Sequence, residues 1–209
     1  MKILVCGATG RTGTALVRQA LVRGHHVTAY VRNPHKLKTN HENLTTIQGD
    51  IINYSRLQQA MQGQEAVLSL LGASGIFRFD QAIVDGIQNI LRAMGACNVK
   101  RIIYMSSAGV KESRGRAGKM IKHILPTLLP SEVLGHEIRE EIIKNSRLQW
   151  TMVRPVTLTN DRYTGQFRSG EGIFTNRFMA TISRADVAHF MLQQLHDNTF
   201  ARKAPMIMY

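Results

Sequence analysis

Cysteine is nearly absent, with two in 209 residues, Cys6 and Cys97. Neither has another Cys or a His nearby at ligand spacing, which excludes a disulfide framework and a zinc module and leaves both thiols as small hydrophobes suited to a core. The eight histidines are scattered, and no metal is expected. Long apolar runs are missing too. No window approaches the roughly 20 residues needed to span a bilayer, and the first residues lack the basic, apolar and small-residue order of a signal peptide. The default expectation is a cytoplasmic chain without membrane association. Acidic residues are scarce, 14 against 27 Lys and Arg, for a net charge of +13. Such a surplus suits nucleic acid, a membrane surface or phosphorylated small molecules. It is dense only over KESRGRAGKMIKH, Lys111 to His123, where no aromatic residue interleaves. Single-stranded nucleic acid needs stacking rings, so no nucleic-acid partner is expected. The patch reads equally as a solvated loop or as an attractor for an anionic substrate.

What is present is a regular alternation. KILVC (2–6) is an apolar strand, Ala15, Leu16, Ala20 and Leu21 repeat at helical spacing, and HVTAYV (26–31) is a second strand rich in β-branched residues. Strands at 44–49, 65–72 and 100–107 follow, separated by helices at 54–62 and 79–95, the longer one carrying Ile83, Ile87, Ile90, Leu91 and Met94 on one face. Strands that alternate with helices must lie parallel, because each crossover returns the chain to the same end of the sheet. The expectation is an α/β fold: one Rossmann-like domain over residues 1–209 with a doubly wound parallel sheet and a small C-terminal substrate-side lobe. Beyond residue 107 the pattern loosens. MIKHILPTLLP is either a lid over a flat substrate or an ordinary helix ending at Pro126. A helix near 131–146, a strand at 149–155, a helix at 183–195 that Ser183 can cap with Asp186 three residues on, and a terminal strand complete the chain.

The stretch GATGRTG follows the first strand and opens the first helix, the context in which a glycine triplet binds a dinucleotide. Gly7 makes the tight turn, Gly10 admits the pyrophosphate and Gly13 lets the helix approach the sheet. Thr9, Arg11 and Thr12, between the glycines, count as cofactor-binding with them. A carboxylate at the end of the second strand would favour a free ribose 2′-hydroxyl. Here the chain reads Tyr30, Val31, Arg32, Asn33, with Lys36 and Lys38 close behind. Arg32 joined by Arg11 would hold a 2′-phosphate by charge-assisted bonds, which predicts NADPH over NADH.

These residues resemble the atypical short-chain dehydrogenases/reductases, in the NmrA-like group with a GATGxTG loop. QGDI (Asp50, Ile51) is similar to that group's adenine-contacting turn, LLGAS (Leu71, Gly72, Ala73) to its turn along the cofactor, and YMSSAGV (Ser106, Ser107) to its post-strand serine segment. WTMVRP and ISRADVAHFML fit its sixth strand and late helix, and within the group the run of segments is most similar to the biliverdin IX-beta and flavin reductases. The resemblance implies cofactor contacts from all these positions and from Pro155, Val156 and Thr157 along the nicotinamide. It implies a catalytic role for Ser107, which would hydrogen-bond the nicotinamide amide or the substrate. The YxxxK pair of typical members falls on Glu132 and His136. His136 is therefore a second catalytic candidate for a proton role, and Thr157 stands where the biliverdin and flavin reductases carry a histidine. The function expected is NADPH-dependent reduction of a flat conjugated acceptor (flavin, quinone or tetrapyrrole-like) by direct hydride transfer, in a monomer or weak homodimer. The alternative is an NADP(H)-binding, redox-sensing regulator without turnover.

Overall fold

The strand β1 (Lys2–Cys6) is apolar and buried from Ile3 to Cys6 because it is covered on both faces there. It pairs in parallel with β2 (His26–Val31), from Lys2 opposite His26 to Cys6 opposite Tyr30. In the computed structural model, which describes residues 1–72 and 79–209, β2 pairs onward with β3 (Leu44–Gln48). On the other side of β1 lie β4 (Ala66–Ser69), β5 (Arg101–Met105) and β6 (Gln149–Pro155), all parallel. Two short strands extend this edge: β10 (Met206–Met208), parallel to β6, and β8 (Arg168–Gly170), antiparallel to β10. The sheet order is β3-β2-β1-β4-β5-β6-β10-β8, and a separate pair, β7 (Thr157–Thr159) with β9 (Thr181–Ser183), forms the small lobe. Chain direction across the sheet reverses between β1 and β4, so a crevice opens beyond their carboxyl ends.

Helices cover both faces. On one side α1 (Arg11–Val22) and α6 (Arg184–Gln193) bury Leu16, Val17, Ala20, Val187, Phe190 and Met191. On the other, α2 (Tyr54–Met61), α3 (Gln81–Ala96) and α5 (Pro130–Lys144) bury Leu57, Met61, Ile87, Ile90, Met94 and Ile143. Each such side chain contributes roughly 1.5–3 kcal/mol on burial. The long-helix stripe falls as the spacing predicts, with Gly86 pressed so close to Ile51 that a Cβ would lie 2.3 Å from its Cδ1. Ser183 caps α6 as expected, its Oγ accepting from the Asp186 N–H at 2.9 Å. No helix among the described residues is long and apolar enough to cross a membrane.

Two expectations are corrected. The strand at 65–72 ends at Ser69, because Leu70 to Gly72 leave the sheet to line the crevice. No helix ends at Pro126: a π-helical turn (Met120–Ile124) runs into α4 (Leu125–Leu128), which contains that proline. Pro126 has no N–H for the carbonyl four residues back, and the ladder slips so that the Leu125 N–H reaches Met120 O instead.

Candidate functional site

Gly7 turns the chain off β1 at φ +87°, and a Cβ there would lie 2.6 Å from Leu70 O. A Cβ on Gly13 would lie 2.1 Å from Gly7 O, so only glycine lets α1 start against the strand end. Gly10 precedes α1 with no side-chain cap, and the helix has no acid in its first turn. Its leading N–H groups and positive dipole end are thus directed at the crevice, as anion binding requires.

The crevice measures about 740 Å³. It brings together Gly7, Thr9, Gly10, Arg32, Asp50, Ile51, Leu71 and Gly72 from the sequence reading. Ala73 lies outside the described residues. Lys36 and Asn33 line it as well, because the Asn33 side chain accepts from the His35 N–H at 3.0 Å and fixes the short turn that swings Lys36 inward. Tyr30 is a lining residue that sequence reasoning missed. Its hydroxyl donates to Asp50 O at 3.0 Å, tying the ends of β2 and β3 together across Gly49. The only signal for it was strand position. Thr12 is buried beneath the loop. Arg11 is exposed and is not among the residues lining the crevice. Its charge is felt instead at Arg184, whose pKa is lowered first by burial and then by Arg11.

The second half of the site is formed where β5 and β6 end. Ser106 N–H donates to Val153 O at 2.7 Å and Ala108 N–H to Pro155 O at 3.0 Å, which sets Ser107 beside Pro155 and Val156. Thr157 follows, held by its N–H to Ala180 O at 3.2 Å. The two serines differ. Ser106 is buried and donates to Glu140 Oε1 at 2.6 Å, so its hydroxyl is committed to α5. Ser107 Oγ accepts from the Gly109 N–H at 3.1 Å, and among the described residues its own O–H meets no acceptor. Leu125 and Ile121 pack over it: a Cβ on Gly109 would lie 2.6 Å from Leu125 Cδ2 and 3.4 Å from Ser107 Oγ.

His136 is buried behind β5 with both ring nitrogens engaged. Tyr104 OH is 2.9 Å from Nδ1 and the Glu132 carboxylate 3.1 Å from Nε2. Burial lowers the His136 pKa against the opposing pull of Glu132, and the His136 hydrogen bond lowers that of Glu132. A neutral ring that donates from Nε2 and accepts at Nδ1 satisfies all three groups. Tyr104 packs in the α3 and α5 core, whereas Ile121, beside Ser107, belongs to the opposite one. The structure thus commits His136 to Tyr104 and Glu132, on the α5 side of β5.

Outside the site, the basic patch divides. Lys111 pairs with Glu141 and Arg114 with Glu137, and Arg116 donates to Glu171 O. Lys119, Lys122 and Arg177 form no ion pair among the described residues and stand with exposed Phe178, Met179, Ile124 and Leu128. Backbone bonds from Lys119 to Arg177 O and Met120 to Phe178 O join the two segments, whose far end meets Thr157 through Ala180.

A family profile described as NAD(P)H-binding matches residues 7–198. Among curated relatives, a 3-beta-hydroxysteroid dehydrogenase of Mycolicibacterium neoaurum is 32% identical over 120 residues, 52% of this chain and 32% of its own. The chain spans about a third of the length of such relatives. Among solved structures, a short-chain dehydrogenase/reductase of Veillonella parvula in complex with NADP is 26% identical with TM-score 0.79, covering 99% of this chain and 93% of that one. ChuY, an anaerobilin reductase from Escherichia coli O157:H7, shares the fold at 16% identity and TM-score 0.83, over 99% and 96% of the two chains. The profile runs through the glycine turn, the crevice and the strand ends alike, and the resemblance to atypical short-chain dehydrogenases/reductases stands: the chain belongs to the NAD(P)H-binding family.

Proposed function

We propose that this protein is an NADPH-dependent reductase of a flat, conjugated acceptor. The glycine turn fits the dinucleotide, since side chains at Gly7 and Gly13 would close the approach. Arg32 and Lys36, on the rim of the crevice with no acid at the end of β2, suit a 2′-phosphate. Asp50 and Ile51 would flank the adenine, and Leu71 and Gly72 the path onward. Pro155, Val156 and Thr157 would line the nicotinamide, with the Ser107 hydroxyl donating to its amide or to the substrate.

One observation carries the choice of acceptor. The two helix positions that match the tyrosine acid and lysine of typical short-chain dehydrogenases/reductases are Glu132 and His136, locked to each other and to Tyr104. The alkoxide that hydride addition to a ketone would form would find no free acid there to protonate it. A delocalised acceptor needs none: the chemistry that bound nicotinamide supplies is a hydride, and solvent provides the proton. Positioning by Ser107 and the apolar surface above it would then account for the rate. Leu125 and Ile121 would form that surface, exposed Phe178, Met179 and Leu128 would extend it, and Lys119, Lys122 and Arg177 would anchor a negative charge on the acceptor. This revises the role of the basic patch, since Lys111 and Arg114 are spent on α5.

The test follows the nicotinamide absorbance band with FMN, FAD, quinones and simple ketones as acceptors. Consumption with conjugated acceptors and none with ketones is expected, with KM for FMN raised in Lys119→Ala/Lys122→Ala/Arg177→Ala and KM for an uncharged quinone unchanged. Tight NADPH binding with no consumption across the panel would refute the reductase and favour a regulator that senses the dinucleotide.

A further inference from the structure

Helices α1 and α6 lie side by side and run the same way: Gln19 Nε2 donates to Ala185 O at 2.8 Å, and one turn on Arg23 contacts His189. In this register Arg184, the first residue of α6, is level with residue 18 of α1, and Arg11 overhangs it by seven residues, about 10.5 Å of helix rise, a gap two arginine side chains span. Arg184 is aimed by Nη1, which donates to Asn160 Oδ1 at 2.8 Å and to Leu158 O at 3.3 Å. Its guanidinium is thereby fixed at the edge of β7, just beyond Val156 and Thr157. Among the described residues its Nε and Nη2 meet no acceptor, and neither arginine has an ion-pair partner. The first turn of α1 has no acid. The acid of the first turn of α6, Asp186, is taken up by Ser183, Thr164, Gly165 and Tyr209. Two cations thus flank an uncapped helix start that belongs to a dinucleotide site, one from the glycine loop and one from the start of α6 beside the small lobe, with no ion-pair partner among the described residues.

We propose that Arg11 and Arg184 together grip the bridging diphosphate of the dinucleotide, so that Arg184 is a cofactor-binding residue and Arg11 acts with it rather than with Arg32. This changes the expectation for Arg11. The diphosphate is common to NADP and NAD, so the pair sets affinity for both, while Arg32 and Lys36 discriminate between them. The burial of Arg184 and the charge of Arg11, which lower the Arg184 pKa, are offset when an anion lies between the two groups. The grip also joins the lobe to the glycine loop once the dinucleotide is bound.

The proposal rests on membership of the NAD(P)H-binding family and not on the acceptor, so binding alone tests it and the reductase reading can fail without touching it. Titration calorimetry with NADP, NAD, ADP-ribose and 2′-AMP on Arg11→Gln, Arg184→Gln and Asn160→Asp is the experiment. The last variant keeps the Arg184 anchor but sets a carboxylate against it, which neutralises the cation without unfolding risk at Arg184 itself. Each variant should bind NADP, NAD and ADP-ribose weaker by the same factor, roughly ten- to a hundredfold for a lost charge-assisted contact, and 2′-AMP as the wild type does. Losses confined to NADP and 2′-AMP would return Arg11 to the 2′-phosphate and overturn the proposal. Unchanged binding of NADP and NAD in Arg11→Gln or in Asn160→Asp would overturn it equally.

Discussion

Replacing Glu140 with alanine should destabilise the protein more than any surface change, and the reason lies in what Arg154 would lose. Arg154 on β6 is 4% exposed and Glu140 on α5 1% exposed. They meet through two charge-assisted bonds, Nε to Oε1 at 2.9 Å and Nη2 to Oε2 at 2.6 Å. Burial alone would lower the Arg154 pKa, but Glu140 and then Glu112 raise it beyond the ordinary arginine value. Glu112 sits at 2.6 Å from Nη1 yet is 61% exposed, so water competes for it. In Glu140→Ala the buried guanidinium keeps only that partner and the Ser106 hydroxyl loses its acceptor. Removing one member of a buried pair costs about 3–5 kcal/mol, and an orphaned hydroxyl adds about 1 kcal/mol. Against a total stability of about 5–15 kcal/mol, that is a lowering of Tm by roughly 8–24 °C for a chain of this size. Urea and thermal unfolding measure it. The double variant Glu140→Leu/Arg154→Met, which leaves no unpaired charge, should recover much of the loss. A Glu140→Ala penalty below about 1 kcal/mol, or a double variant no better than the single one, would refute the reasoning.

The end of β2 and the carboxylate at the start of α6 give further expectations. Arg32→Ala and Lys36→Ala should each weaken NADP binding about tenfold or more while leaving NAD binding within about twofold; equal losses for both cofactors in a fluorescence titration would contradict the 2′-phosphate role. Burial by itself would raise the Asp186 pKa, but hydrogen bonds from Tyr209, Gly165, Ser183 and Thr164 prevail and hold it below the usual carboxylate range. Because the folded value is the lower one, the stabilisation is complete above the unfolded carboxyl pKa of about 3.9 and is lost as pH falls from there through the folded value. Urea midpoints from about pH 6 down to about pH 3 should fall more steeply in the wild type than in Asp186→Asn; parallel slopes would count against it.

The sequence made the fold legible because parallel strands buried on both faces carry a largely apolar, β-branched signature, as KILVC and HVTAYV do after their exposed first residues. That same signature misleads at Leu70 and Leu71, which are apolar because they line a crevice and not because they continue β4. Hydropathy records removal from water without recording what replaces it. That the glycine turn and the end of β2 line one crevice was readable for a related reason: both are local, set within a few residues of chain. The other half of the site depends on partners far along it. Ser106 and Ser107 are adjacent and chemically identical, and only Glu140, 34 residues on, commits one hydroxyl to α5 while the other remains at the strand end. Lys111 and Arg114 look like part of one basic attractor until Glu141 and Glu137, 30 and 23 residues away, neutralise them. Arg11 follows the same rule at greater range. Its place in GATGRTG suggests a phosphate ligand, but which phosphate its side chain could reach depends on the register of α1 against α6. Charge type is written locally, and the direction in which a long side chain spends its charge is a property of packing.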